Sequence, residues 1–262
     1  MSLPVRPRIR LALAALGLGA LFGTAAMPAA AQSVSTTDQS RIESIVHDYL
    51  MQHPEVLRDA LTELDRRDKA QEEASRVAAV TGQKAAIFDS PHQAVLGNPN
   101  GKVTLVEFFD YNCGYCKKTL DDIGELLKTE PDLRVVLKDF PILTPGSVEA
   151  AHVAIAARNQ LSGDKFWQFH QKLLATRGPV AKAQALAVAK DMGVDMGKLT
   201  KDMDGPEVRA SLEEVAKLAD TLSLTGTPSF VMGQDVVVGA VGLDQLKDKL
   251  DNVRKCGKAA CG

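Results

Sequence analysis

The 262-residue sequence is poor in cysteine: it holds four, Cys113, Cys116, Cys256 and Cys261, and a single C-x-x-C pair. No second C-x-x-C and no H-x-x-x-H accompanies that pair, so a zinc site lacks its other two ligands at matching spacing. The five histidines, His47, His53, His92, His152 and His170, form no metal spacing. Met192, Met196 and Met203 are spaced like helix-packing residues rather than a copper-binding methionine cluster. No metal or cofactor is expected. Strong charge of one sign is also missing: the formal net charge is −2, which gives no support for nucleic-acid binding. There is no internal repeat and no low-complexity segment.

The one long apolar run lies near the start. Arg6, Arg8 and Arg10 precede an uncharged stretch from Leu11 to Phe22, and Ala29-Ala30-Ala31 offers a small-residue cleavage site before Gln32. This pattern is that of a secretory signal peptide, and the apolar part is short for a membrane span. No cysteine follows the run, which argues against a lipid anchor. Cleavage removes three arginines and no acids, taking the net charge from −2 to −5. All four cysteines would then lie in a compartment where disulfides persist.

Val103 to Lys118 carries the chemistry. An apolar, β-rich run from Val103 to Phe109 crosses a polar turn, Asp110 to Asn112, and meets Cys113, Gly114, Tyr115 and Cys116. A helical pattern then begins (Leu120, Ile123, Leu126, Leu127). A strand that feeds C-x-x-C into a helix start is a redox arrangement. Unpaired N–H groups and the helix dipole favour a thiolate at Cys113, and Cys116, one turn further in, is shielded and placed to resolve a mixed disulfide. Half of a metal site and an inert structural disulfide are the alternatives.

Upstream, Ile42, Ile45, Val46, Tyr49 and Leu50 form one helical face. Pro54 interrupts it, and Val56, Leu57, Ala60, Leu61 and Leu64 form a second stripe. Asp65 to Arg76, dense in both charges, reads as a solvated helix or semi-rigid linker. These stripes suit an oligomerisation arm; a helix lying on its own domain is the other reading. Downstream, turn signals bracket a short strand at His92 to Leu96. The strand Val103 to Phe109 suits a centre covered on both faces, and Leu133 to Phe140 follows the cysteine helix as a parallel partner. Four helical stretches come next, Val148–Arg158, Asp164–Thr176, Ala181–Met192 and Pro206–Leu222. A hairpin (Ser229 to Met232, Val236 to Val238) and a last helix, Leu243 to Arg254, close the chain.

This order of elements, with Glu107-Phe108-Phe109-Asp110-Tyr111-Asn112-Cys113-Gly114-Tyr115-Cys116 and Gly226-Thr227-Pro228-Ser229-Phe230, resembles the DsbA-type family of exported thiol-disulfide oxidoreductases. Asp48-Tyr49-Leu50 and His53-Pro54-Glu55-Val56-Leu57 resemble the front of the ScsC-like, suppressor-of-copper-sensitivity subgroup, which uses it to oligomerise and shuffle disulfides. The resemblance implies an α/β thioredoxin fold with an inserted helical domain, behind an N-terminal helical arm. The divisions are 1–31 signal peptide, 32–85 arm and linker, 86–255 catalytic domain with the insertion at about 145–223, and 256–262 a tail with a cysteine pair.

The resemblance also implies residue roles. Pro228 becomes a cis-proline facing Cys113, exposing the Thr227 backbone to a substrate strand; an ordinary trans turn proline is the alternative. Thr227 tilts the reading toward isomerase. Glu107 becomes a buried proton-moving acid beneath the cysteines with Lys138 as its partner; a solvent-facing acid at a strand end is the alternative. Gly114 and Tyr115 tune Cys113. Cys256 and Cys261 form a small local disulfide or a second redox pair. The implied function is a periplasmic disulfide isomerase or oxidase acting on exported cysteine-containing proteins. A membrane redox partner would reset the cysteine pair, and the chain would act as a homo-oligomer. A Cu(I)-binding protein using the same thiols and a monomeric dithiol oxidase are the other readings.

Overall fold

The computed structural model describes residues 35 to 261; the signal peptide expected at 1–31 lies outside the described residues. The chain divides into two units, one ending at Leu61 and one beginning at Thr62.

In the first unit, α1 (Thr36–Gln52) starts on Ser35, whose hydroxyl accepts the Asp38 N–H at 3.2 Å. It stops at His53 (φ −127°, ψ 62°), because a residue before proline is kept out of the α region. α2 (Glu55–Gly82) restarts beyond Pro54. No residue of α1 is buried, and Ile42, Ile45, Val46, Tyr49, Val56, Leu57 and Leu61 are exposed. Within the second unit, the charged stretch Asp65 to Arg76 is helix, laced by Arg67–Glu63, Lys69–Asp65 and Arg76–Glu72 pairs at i,i+4. Such pairs each add a few tenths of a kcal/mol to the stretch of α2 that lies ahead of its buried Val80.

The second unit is built on a five-stranded sheet, in the order β1 (Ala94–Gly97), β3 (Leu133–Asp139), β2 (Val103–Phe109), β4 (Ser229–Met232), β5 (Asp235–Val238). β2 and β3 are parallel and are joined by α4 (Gly114–Thr129), while every other pairing is antiparallel. Five helices, α5 (Pro145–Ala157), α6 (Asp164–Leu174), α7 (Lys182–Asp191), α8 (Met196–Met203) and α9 (Pro206–Thr221), fall between β3 and β4. α8 is absent from the sequence reading. It has only eight residues, too few to show a period, and its mark is Asp195, whose carboxylate accepts the Lys198 N–H at 3.0 Å. α3 (Lys84–Phe88) precedes the sheet and α10 (Leu243–Cys256) ends it.

Side-chain alternation sorts the two faces. On one face Leu105, Phe109, Val135 and Leu137 pack with Ile123 and Leu126 of α4, Leu246 and Leu250 of α10, and the alanine-rich α5. On the other, Val106, Phe108 and Val136 pack with Val215 and Leu218 of α9, Leu222 just past its end, Ile87 of α3 and Val80 of α2. At the chain end Cys256 and Cys261 are disulfide-bonded. Ala259 between them is buried, and its N–H donates to the Asp235 carboxylate of β5.

Parity also decides the fate of Lys138. Glu107 pairs in register with Leu137, and Lys138 with Phe108, so Lys138 belongs to the face opposite Glu107. Its ammonium donates to the Ala86 carbonyl at 2.7 Å and to Glu214 Oε1 of α9 at 2.9 Å, and Ser90 donates to the other Glu214 oxygen at 2.7 Å. The expected Glu107–Lys138 partnership is therefore corrected: Lys138 ties α9 and α3 to the back of the sheet. Lys138→Met should cost on the order of 3 kcal/mol in urea unfolding, because Glu214 keeps its charge without its cation. Lys138→Met/Glu214→Leu should recover most of that loss, and neither change should move the alkylation profile of Cys113.

Candidate redox site

The site forms where β2 ends and α4 begins. Asp110 organises the turn: its Oδ1 accepts the Asn112 N–H at 2.7 Å, and its Oδ2 accepts the N–H groups of Ile142 and Leu143, each at 3.0 Å. One buried carboxylate thus ties the turn after β2 to the turn after β3, and three hydrogen bonds compensate its burial. Cys113 is the N-cap of α4, with extended backbone (φ −76°, ψ 116°), and its sulfur accepts the Cys116 N–H at 3.3 Å. A sulfur here takes the place that a hydroxyl or carboxylate oxygen ordinarily fills.

The loop before β4 closes the site from the other side. β4 pairs with β2 with Ser229 opposite Phe108, which sets Thr227 and Pro228 beside the turn. The Thr227–Pro228 peptide bond is cis. In the dithiol form the Cys113 S–H donates to the Thr227 carbonyl at 3.0 Å, so ionisation of Cys113 frees that carbonyl. The Thr227 hydroxyl is buried with no hydrogen-bond partner among the described residues. Cys113 itself is only 4% exposed, whereas Tyr115 is 63% exposed and lies under the Lys118 ammonium. A Cβ added at Gly114 would meet open space.

Charge is distributed unevenly between the two thiols. Cys113 is drawn down to about 5, first by the hydrogen bond from the Cys116 thiol, then by the Thr227 side chain and the N–H groups of Cys116 and Tyr115, all against burial. Cys116 is pushed up by the sulfur of Cys113 that holds its proton, by burial and by the charge of Glu107. Glu107 is 1% exposed. Burial pushes its carboxyl up to about 8, with the Cys113 charge adding and Thr119 opposing. The Thr119 hydroxyl lies 3.0 Å from the Cys116 carbonyl and 3.4 Å from Glu107 Oε1. One hydroxyl has one proton. With Glu107 neutral, its O–H donates to Thr119 and Thr119 donates to Cys116, satisfying both.

The structure therefore brings Cys113, Gly114, Tyr115, Cys116, Thr227, Pro228 and Glu107 together and sends Lys138 elsewhere. It also adds groups that the sequence reading leaves out. Tyr111 OH lies 3.3 Å from His170 Nδ1 of α6, and burial lowers His170 to about 3, so the ring is neutral. Asp139, at the end of β3 with Arg158 at 3.9 Å, is pushed up to about 6 by burial. Tyr111, Asp139, Arg158 and His170 come from four separate stretches of the chain, and no local spacing connects them.

The model of the family described as DSBA-like thioredoxin domain matches residues 104–251, and that of the Copper resistance protein ScsC N-terminal domain matches residues 38–71. A thioredoxin-like oxidoreductase from Silicibacter pomeroyi shares 41% identity, with a TM-score of 0.62 over 66% of this chain and 98% of that one. The thiol-disulfide exchange protein alpha-DsbA2 from Wolbachia pipientis shares 27%, with a TM-score of 0.64 over 70% and 98%. Among curated proteins, the Na(+)/H(+) antiporter NhaA 1 of Salinispora arenicola is 29% identical over 60% of this chain. The chain spans about a quarter of that relative's length. No described helix of this chain is long and apolar enough to cross a membrane.

Two outcomes follow from the titrations. With a small reagent such as iodoacetamide, the reduced protein should alkylate at Cys113 with a midpoint near pH 5, and Cys116 should stay unreactive to well above pH 9. A faster Cys116 would reverse the roles. For Glu107, the folded state holds a proton between about pH 4.5 and 8 that the unfolded chain releases, so this carboxyl makes stability fall as pH rises through that window. Urea unfolding of the oxidised protein should show this fall between about pH 6.5 and 8, above the range in which buried His170 makes stability rise with pH and Asp139 makes it fall. Glu107→Gln should remove the fall in that upper window.

Proposed function

The chain belongs to the DSBA-like thioredoxin family, and from that premise we propose that it is a thiol-disulfide interchange protein acting through Cys113-Gly114-Tyr115-Cys116 on exported, cysteine-containing proteins of the periplasm. The observation that carries this reading is the N-cap position of the Cys113 sulfur, which favours the thiolate beside a buried Cys116 that stays protonated. The Cys113 thiolate attacks one sulfur of a substrate disulfide and the other sulfur leaves as a thiolate. Cys116 then gives up its proton to the ionised fraction of Glu107, the minor form at neutral pH, and attacks Cys113 Sγ. The two substrate sulfurs leave carrying the one proton from Cys116, the other sulfur taking its proton from water, and Cys113–Cys116 becomes the disulfide. Run in reverse, the same steps donate a disulfide, and a membrane redox partner resets the pair in either direction. The Thr227 carbonyl, released when Cys113 ionises, pairs with an extended substrate segment.

Isomerase action is favoured by the arm. Ile42, Ile45, Tyr49, Leu57 and Leu61 are exposed apolar residues in a segment whose front matches the ScsC N-terminal domain. Association of copies through these stripes would bury them and set several Cys113 sites around one misfolded substrate. The same match favours a second reading, a copper role in which Cys113 and Cys116 hold Cu(I), since thiolates are soft ligands.

Trapping with Cys116→Ser in the periplasm should yield mixed disulfides to exported proteins on Cys113; their absence removes the exchange reading. A Cu(I) titration of the reduced protein that saturates at one equivalent, without insulin reduction or scrambled-RNase refolding, would favour the copper reading. The full mature protein should be an oligomer by light scattering. Ile45→Asp/Tyr49→Asp/Leu61→Asp should be a folded monomer that retains dithiol oxidation and loses most scrambled-RNase activity. A monomeric wild type would leave a simple oxidase. Thr227→Val should shift the ratio of the two activities toward oxidation, and an unchanged ratio removes Thr227 from the argument for isomerase.

A further inference from the structure

The segment joining α6 to α7, residues 175–181, belongs to the inserted helices, yet it is gripped from both sides of the cysteine pair. Ahead of Cys113, the Asn112 amide pairs with Val180 as one strand pairs with another: Oδ1 accepts the Val180 N–H at 2.7 Å, and Nδ2 donates to the Val180 carbonyl at 2.8 Å. The second Nδ2 hydrogen faces Ser147 Oγ at 3.0 Å, with Thr144 Oγ1 further off at 3.4 Å. Behind Cys116, the Lys117 ammonium donates to the Thr176 carbonyl at 2.9 Å. Val180 is fully buried, and Gly146 of α5 makes room for it, since a Cβ there would meet the Val180 carbonyl oxygen at 3.0 Å.

We propose that Asn112 is a positioning residue for Cys113: by locking the backbone of residues 112 and 113 onto Val180, it holds the Cys113 sulfur over the first N–H groups of α4. The inserted helices then set the reactivity of the thiol together with the helix start. The inference rests on the reading of Cys113 as the nucleophile. Its physical basis is that the N-cap residue has extended backbone and is tied to α4 only through its carbonyl, which accepts the Lys117 N–H at 3.1 Å, so α4 alone does not set the direction in which its side chain leaves. A sulfur 3.3 Å from its N–H donor gains little from a bond that weakens steeply with angle unless something else holds that angle. Asn112 makes two short bonds to a buried backbone and is the residue placed to do so. The ionisable groups that act on Cys113 are Cys116 of α4 and Glu107 of β2, and a change at Asn112 leaves both in place.

The test uses the full reduced chain. Asn112→Ala should raise the midpoint of Cys113 alkylation by about one pH unit, and should shift the equilibrium with glutathione toward the Cys113–Cys116 disulfide by about tenfold at pH 7. Leu250→Ala, a core change in α10 remote from residues 175–181, should lower the Tm and leave the alkylation profile where it was. An unchanged profile in Asn112→Ala, whatever its Tm, overturns the proposal, as does an equal shift in Leu250→Ala. If Asn112→Ala does not fold, Asn112→Ser carries the same expectation, with a smaller shift for it and none overturning it. A wild-type protein whose Cys113 does not alkylate near neutral pH would instead sink the functional reading.

Discussion

Everything at the redox site depends on one substitution of chemistry: a sulfur stands where α4 needs an oxygen to cap its free N–H groups. The cap bond favours the thiolate, because the N–H groups and the helix dipole interact with a charged sulfur more strongly than with a neutral one. Position is then the whole problem. Asp110 supplies it on the side of the sheet, tying the turn before Cys113 to the turn after β3, and Asn112 supplies it on the side of the helices. The β2–β4 pairing brings Thr227 to the sulfur from the remaining direction.

Glu107 shows what such a site costs. A carboxylate buried on the strand face that Leu105 and Phe109 share gives up its solvation, and no cation among the described residues offsets this. The cation that the sequence offers, Lys138, stands one residue along on the neighbouring strand, and alternation turns it to the opposite face. The result is that Glu107 holds its proton near neutral pH instead of forming an ion pair, and a carboxyl in that state can both take and return a proton. Lys138 meanwhile joins a different buried pair, with Glu214, that fastens α9 to the sheet.

The two units differ in what holds them. In the second, two cores sandwich the sheet and fix the site. In the first, α1 buries nothing within the described chain, and the apolar residues of its face and of the start of α2 are exposed. Helix propensity, the Ser35 cap and the stop before Pro54 explain why this segment is helical. They do not explain why its apolar residues are there.

Local chemistry is legible in a linear sequence, and this protein carries much of it locally. The C-x-x-C after an apolar strand, the interruption at Pro54, the apolarity of β2 on both faces, the Gly233-Gln234 hairpin and the Thr227-Pro228 pair are all short-range patterns with a physical meaning of their own. They suffice for the fold class and for the two cysteines. What only the tertiary structure decided is which distant groups share a face or a bond. The register of β3 against β2 sends Lys138 to Glu214. The packing of α6 brings His170 to Tyr111, and the path of residues 175–181 brings Val180 to Asn112. Each of these turns on a one-residue parity or a packing angle between elements far apart in sequence, and such quantities exist only once the sheet has formed and the helices have closed over it.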